Sequence, residues 1–190
     1  MELSLTYLET KRLKLRLLTP ELNSAVFAQG DKKAIMQFFG ITTDEEYQVE
    51  KEKFDEGLTS YKKSFLLFHL LEKTTGNVLG WCGYHIWYLK HFRAEIGYIM
   101  NSKDSMGKGY MKEAMEEVLR YGFDEMKLQR VEAFIGPFNE PSLKLANHFG
   151  FKKEGHLRKH YMKDNVLEDS LLFGLLKEEY VNRGSIVSGQ

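Results

Sequence analysis

The stretch NSKDSMGKGYMKEAMEEVLRYGF, residues 101–123, decides how this chain is read. Two glycines, Gly107 and Gly109, lead into Met111, Ala114, Met115, Val118 and Leu119, which recur at i, i+3, i+4, i+7 and i+8. That period predicts an amphipathic helix lying on a sheet. Glycines at a helix start let backbone amides approach an anion, because no Cβ stands in the way and the helix dipole favours negative charge. The spacing does not fit a mononucleotide P-loop, which needs four residues between its glycines and Ser or Thr after Gly-Lys; here Lys108 is followed by Gly109. Nor does it fit a dinucleotide fingerprint, whose third glycine would fall on Lys112. On this motif alone, a tight β-to-α turn without a ligand stays open beside an anion site.

Working outward, FRAEIGYIM (92–100) reads as the strand that feeds the loop. SFLLFHLLEK (64–73) and VLGWCGYHIWYL (78–89) are strand-like too, with hairpin residues TTGN between them. Upstream, TKRLKLRLLT (10–19) alternates basic residues with Leu13, Leu15 and Leu17, Pro20 opens a short helix, and residues 42–63 carry Tyr47, Phe54, Leu58 and Tyr61 on one helical stripe. Downstream, RVEAFIG (130–136) is a strand. NEPSLKLANHFGF is a helix capped at Asn139, with Pro141 in its first turn and Gly150 at its end. FKKEGHLRKHYMK and VLEDSLLFGLLKEEY read as two final strands around a turn at Asp164–Asn165. The order is β-α-α-β-β-β-α-β-α-β-β. This predicts one α/β (α+β) domain over residues 1–183, about seven strands flanked by about four helices, with 184–190 as a mobile tail.

Lys+Arg and Asp+Glu both number 27, so the net charge is zero, which argues against general nucleic-acid binding. The single cysteine, Cys82, lies in a strand pattern and reads as a buried, inert thiol. The N-terminal residues have no apolar signal core and no 18-residue apolar run occurs, so a cytoplasmic protein that does not span a membrane is expected. The histidines at 69, 85, 91, 148, 156 and 160 show no metal-ligand spacing, and no metal is expected. The acids of Asp44–Glu56 read as a solvated helix face, with guidance of a cationic partner as the second reading.

Taken together, RAEIGYIM, MGKGYMKEA, PFNEPSLKLANHFGFKKEG and EDSLLFGLLKEEY resemble, in order, the GNAT superfamily of acetyl-CoA-dependent N-acetyltransferases. The likeness runs from about residue 8 to 180 and is greatest to the branch of ribosomal-protein N-terminal acetyltransferases. It implies a mixed, mostly antiparallel twisted sheet whose strands splay at the coenzyme site. It implies further that amides of Gly107, Lys108, Gly109, Tyr110 and Met111 hold the coenzyme A pyrophosphate. Met106 packs on the coenzyme where relatives carry an aromatic, and backbone groups near Ile99 and Met100 pair with the pantetheine like an added strand. By the same resemblance Asn139 bonds the pantetheine, Asn147 touches the coenzyme, and Ser142 lies near the thioester sulfur. Many relatives place a tyrosine acid where this chain has Ala146, so the acid role passes to Ser142.

Glu95, in the middle of an apolar strand, is the candidate base; the alternative is a structural bond, with Arg93 or Lys108 as partner. Glu168 and Asp169 are candidates to cap an acceptor channel. How much base is required depends on the acceptor. An α-amine is roughly 10–15% neutral at pH 7, whereas a lysine amine is only about 0.04% neutral. The leading expectation is acetyl transfer by direct attack in a ternary complex onto a protein N-terminal α-amine, by a monomer or homodimer. A small amine (polyamine, amino acid or aminoglycoside) is the alternative acceptor. A non-catalytic acyl-CoA sensor and a nucleotide-binding module are the competing classes.

Overall fold

The structure is a computed structural model, and it describes residues 4–57, 59–60 and 63–187. Eight strands form one sheet in the order β1-β2-β3-β4-β5-β6-β8-β7. They are β1 (Tyr7–Glu9), β2 (Leu13–Leu18), β3 (Lys63–Glu72), β4 (Val78–Tyr88), β5 (Arg93–Met100), β6 (Arg130–Ile135), β7 (Lys152–Lys163) and β8 (Val166–Leu176). Neighbouring strands run antiparallel except β5 and β6, which are parallel. Six α-helices accompany them among the described residues: α1 (Pro20–Gln29), α2 (Lys32–Phe39), α3 (Asp44–Glu56), α4 (Tyr110–Asp124), α5 (Glu140–His148) and α6 (Lys177–Val187).

Alternation along the strands splits the apolar residues between two cores. Leu13, Leu15, Leu66, Phe68 and Leu70 join the main core, which also takes the buried stripe of α4 and Ala146 of α5. Leu18 and Phe65 point the other way and meet Val26, Ile35 and Phe39 of α1 and α2. Each such side chain fully withdrawn from water contributes about 1.5–3 kcal/mol. Helix α4 sits unusually close to the sheet at Gly122, where a Cβ would lie 2.0 Å from the Tyr84 Oη. That hydroxyl donates to the Val118 carbonyl at 2.9 Å, tying helix to strand inside the core. Cys82 is fully buried there, and burial pushes its thiol well above the ordinary range.

Three elements go beyond the sequence reading. β1 is three residues long and pairs with β2. α2 is eight residues between two glycines, capped by the Asp31 carboxylate on the Ala34 amide and ended by Gly40 in the left-handed region. The last strand stops at Leu176 rather than at Tyr180, because Glu179 turns back to accept the Leu176 amide and α6 begins at Lys177. That helix runs on to Val187, through residues 184–187 of the predicted tail. α3 stops at Glu56 before Gly57, φ 76°, short of the predicted span to 63. Of its predicted stripe, Phe54 stacks on Phe27 at 4.3 Å, while Leu58 and Tyr61 lie outside the described residues, as do the last three residues of the predicted tail. The turn at Asp164–Asn165 is present, with both residues at positive φ.

Candidate active site

β5 and β6 pair over three positions only, Arg93 with Arg130, Ala94 with Val131 and Glu95 with Glu132. Beyond them each strand stays paired on its outer side, β5 with β4 as far as Met100 and β6 with β8 as far as Ile135. The sheet therefore opens as a V whose apex is Glu95. Along the β6-facing edge of residues 96–100 no strand among the described residues takes the backbone groups, so an extended amide chain could pair there. The apex is clamped by charge: the Glu132 carboxylate accepts from Arg93 Nη1 at 2.6 Å and from Arg130 Nε at 2.8 Å, and Arg130 also grips Glu154. Those bonds hold the Arg130 guanidinium charged, its pKa raised chiefly by the Glu154 bond.

A cleft of about 550 Å³ lies at the apex, with Glu95 on one wall and Phe134, Phe138 and Asn139 beside it. The β7–β8 hairpin supplies the facing wall through His160, Tyr161, Lys163, Glu168 and Ser170. Glu95 is bonded to His85, whose Nε2 lies 3.1 Å from Oε1. This corrects the partner read from sequence: Arg93 is taken by Glu132, and the Lys108 ammonium acts on Glu72. Glu168 lines the cleft as expected of a channel residue. Asp169 instead braces the hairpin. Its carboxylate accepts the Lys159 amide at 2.8 Å and meets His156 Nε2 at 2.7 Å, and these two bonds, in that order, lower its pKa.

The glycine turn stands at the N-terminus of α4. Gly107 (φ 71°) and Gly109 (φ 79°) both occupy the left-handed region, where a side chain is strained. Gly109 is the N-cap and provides no side-chain acceptor, so the first amides of α4 keep their hydrogens for an external partner. A Cβ on Gly107 would meet nothing within 4 Å, so the glycine answers to backbone conformation and to whatever docks outside, not to neighbouring atoms. Lys108 and Lys112 are on the exposed surface, Met106 is 53% exposed, and Ile99 is 52% exposed. Tyr110, Met111 and Met100 are half-buried and pack against the main core. Arg12 fixes the turn from below. Its Nη1 donates to the Lys108 carbonyl at 2.9 Å, its Nε pairs with Glu113 at 2.7 Å, and its guanidinium covers the Tyr110 ring. These residues fit a diphosphate on the amides and an extended pantetheine along β5.

Helix α5 begins on the other side of the V. Asn139 caps it, its Oδ1 accepting the Ser142 amide at 3.3 Å, which leaves the side-chain amide hydrogens available. Ser142 is half-buried and lies near the Tyr98 phenol across the V; burial raises the Tyr98 pKa and the nearby serine hydroxyl opposes that rise. Asn147 is exposed at the far end of the helix, and its carbonyl accepts from Gly150. Ala146 is buried in the core and brings nothing to the cleft.

Sequence reasoning missed His85, Tyr98 and the aromatic walls. His85 and His160 are delivered by strand irregularities. The β4–β5 register shifts between Tyr84 and Ile86, and the β7–β8 register shifts between Leu157 and Tyr161, with Lys159 at φ 51°. Neither irregularity carries a glycine or proline signature at those positions. Among the described residues no group of three or more His, Cys, Asp or Glu gathers as metal ligands, and no helix is long and apolar enough to cross a membrane.

Comparison with known proteins places this geometry. The N-acetyltransferase p20 of Bacillus licheniformis, itself uncharacterized, is 41% identical over 113 residues, 60% of this chain and 63% of that protein. The uncharacterized N-acetyltransferase YoaA of Bacillus subtilis is 29% identical over 171 residues, 90% of this chain and 96% of that protein. Among solved structures, the spermidine/spermine N-acetyltransferase SpeG of Vibrio cholerae, in mutant forms, aligns with a TM-score of 0.67 at 19% identity, covering 91% of this chain and 98% of that one. A Vibrio cholerae protein provisionally named a ribosomal-protein-serine acetyltransferase aligns at 0.61 and 19% identity, covering 93% and 99%. At such identities the structural likeness speaks for the fold alone. The family model of the acetyltransferase (GNAT) domain matches residues 12–152, which takes in every element from β2 through α5, and the chain belongs to that family of acetyl-CoA-dependent acetyltransferases.

Proposed function

We propose that this chain transfers an acetyl group from acetyl-CoA to a primary amine by direct attack in a ternary complex, with a protein N-terminal α-amine as acceptor. The observation that carries the reading is the register break after Glu95 and Glu132, which opens the sheet beside a carboxylate that faces the cleft. Coenzyme A would lie with its diphosphate on the amides of residues 107–111 and its pantetheine along residues 96–100, within reach of Asn139. The neutral amine enters from the Glu95 side, its nitrogen bonds the thioester carbonyl carbon, and the carbon–sulfur bond breaks. Glu95 takes the surplus ammonium proton, directly or through one water, and Ser142 donates toward the departing sulfur.

An N-terminal amine suits a cleft with one free carboxylate at its apex and apolar walls from Phe134 and Phe138, since little basicity is required of Glu95. The provisionally named Vibrio ribosomal-protein-serine acetyltransferase and the spermidine/spermine acetyltransferase share this fold, so the likeness favours neither acceptor over the other. A polyamine acceptor is the second reading. A second carboxylate, Glu168, lines the same cleft, and a dication with separated amines could span both acids. The acids of α3 add little to that reading, because Asp44, Glu50 and Asp55 are already paired with lysines. The test is thiol release from acetyl-CoA against a panel of N-terminal peptides, spermidine, lysine and an aminoglycoside. Peptides turning over fastest supports the first reading; spermidine fastest, with loss on Glu168→Gln, supports the second. Tight coenzyme A binding with no acceptor turned over would reassign the chain as an acyl-CoA sensor.

A further inference from the structure

His85 stands at the point where the β4–β5 ladder changes register: Tyr84 pairs with Ile96, and Ile86 pairs with Glu95. β4 thus has one residue too many, and such a bulge re-aims the extra side chain. The ring of His85 is laid over Gly97, where a Cβ would stand 2.6 Å from Nδ1 and 3.0 Å from Cε1. Only glycine leaves that space. From it, Nε2 reaches Glu95 Oε1 at 3.1 Å, while Nδ1 is buried without a partner among the described residues.

The two nitrogens fix the chemistry. An ionised carboxylate only accepts, so Nε2 carries the hydrogen of this bond. Nε2 is thus the nitrogen whose hydrogen points at Glu95, and Nδ1 takes no part in the site. Glu95 has no other hydrogen-bond partner among the described residues, so its Oε2 is left for the cleft. The remaining charges near it are accounted for. Glu132 from β6 is neutralised by Arg93 and Arg130, and His160, Lys163 and Glu168 face it from the hairpin.

We propose that His85 is a positioning residue for deprotonation of the acceptor amine: its Nε2–H pins one oxygen of Glu95 and turns the other toward the incoming nitrogen. This rests on the reading of Glu95 as base. The proton passes from the ammonium nitrogen, directly or through water, to Glu95, and His85 gains and loses none. A side chain that donates without titrating should therefore replace it.

The test compares His85→Ala, His85→Gln, Glu95→Gln and the Glu95→Gln/His85→Ala double variant, on a lysine-like amine, with melting temperature and coenzyme A affinity measured alongside. His85→Ala should lower kcat about tenfold with KM for acetyl-CoA unchanged, the size of a lost hydrogen bond to a charged group. His85→Gln should recover most of that, and His85→Ala should cost nothing further once Glu95 is glutamine. Additive losses in the double variant, or no recovery with glutamine, would reduce His85 to a packing role. If Glu95→Gln leaves turnover intact while His85→Ala does not, the base assignment itself falls. A readout independent of turnover is the long-range proton–nitrogen spectrum of the histidines. It should show the hydrogen on His85 Nε2, and a ring with a bare Nε2 and its hydrogen on Nδ1 would overturn the proposal.

Discussion

Glu95 and Glu132 are the last register pair of the parallel β5–β6 ladder, yet their carboxylates live in opposite surroundings. Glu132 is held by two arginines at 2.6 and 2.8 Å, whereas Glu95 has a single bond, to a histidine, and faces the cleft. Two acids side by side thus differ in their bonds: one holds the sheet together, and the other lines the cleft with a single partner.

Glu95→Gln should lower kcat for lysine-like amines roughly 10²-fold, the usual weight of a general base, and for N-terminal peptides much less, because an α-amine is already partly neutral. Its melting temperature should stay near that of the native chain. Glu132→Gln should do the reverse, lowering thermal stability because Arg93 loses its carboxylate and Arg130 is left with Glu154 alone. Steady-state kinetics on both amine classes and a thermal melt check the pair of expectations. An equal loss with both amines would remove Glu95 from the base role.

Gly107→Val should weaken coenzyme A binding at least tenfold by forcing a branched residue into φ 71° and by covering the amides of the turn. Stability should fall only by the backbone strain, about 1–2 kcal/mol, since a Cβ there touches no neighbour within 4 Å. Isothermal titration with coenzyme A reads the first effect and a denaturant melt the second. Unchanged affinity would sink the cradle.

What the sequence disclosed follows from period and from local chemistry. The stripe of α4, the two-residue alternation of β2, the Asn139 cap and the Asp164–Asn165 turn are each written within a few consecutive residues. α2 was hidden because eight residues between Gly30 and Gly40 give too few turns for a period to emerge, and their burial depends on distant Phe65. His85 and His160 were hidden for a different reason. A bulge is a mismatch between two strands, and neither strand records it alone. The glycine that makes room for His85, Gly97, lies on the neighbouring strand and reads, in isolation, as an ordinary weak point in it.

His69 should make stability pH-dependent in a window above the carboxylates. It is 3% exposed, accepts from the Arg16 guanidinium at Nδ1, 2.9 Å, and has its pKa pushed down to about 3, first by burial and then by Arg16. In the unfolded chain it titrates near 6.5. The folded value is the lower one, so the stabilisation is complete above about pH 6.5 and drains away as pH falls toward the folded value. Between pH 7 and 5 the loss should be about 2 kcal/mol. His69→Gln keeps an acceptor for Arg16 and does not titrate, so denaturant melts across that window should come out flatter for the variant. An unchanged slope would mean that His69 is protonated in the folded state.

The proton for the departing thiolate should come through Ser142, backed by Tyr98. Ala146 is sealed in the core, so nothing at that position can donate, and Ser142 is the hydroxyl that α5 brings to the V. Its amide is fixed by Asn139, which restricts the backbone, and its hydroxyl lies near the Tyr98 phenol. Burial raises the Tyr98 pKa, so the phenol stays protonated through neutral pH and can hold the serine oxygen without competing for the proton. Ser142→Ala should therefore lower kcat roughly 10²-fold with coenzyme A affinity preserved, in line with a general acid. Tyr98→Phe should lower it by a smaller factor, and the two together should cost no more than Ser142→Ala alone, since the phenol acts only through the serine. Single-turnover kinetics with acetyl-CoA and a thioester of a more acidic thiol separate the steps. A leaving group that departs as a stable thiolate has little use for an acid, so the Ser142→Ala defect should shrink with it, and a defect of equal size on both thioesters would assign Ser142 to binding instead.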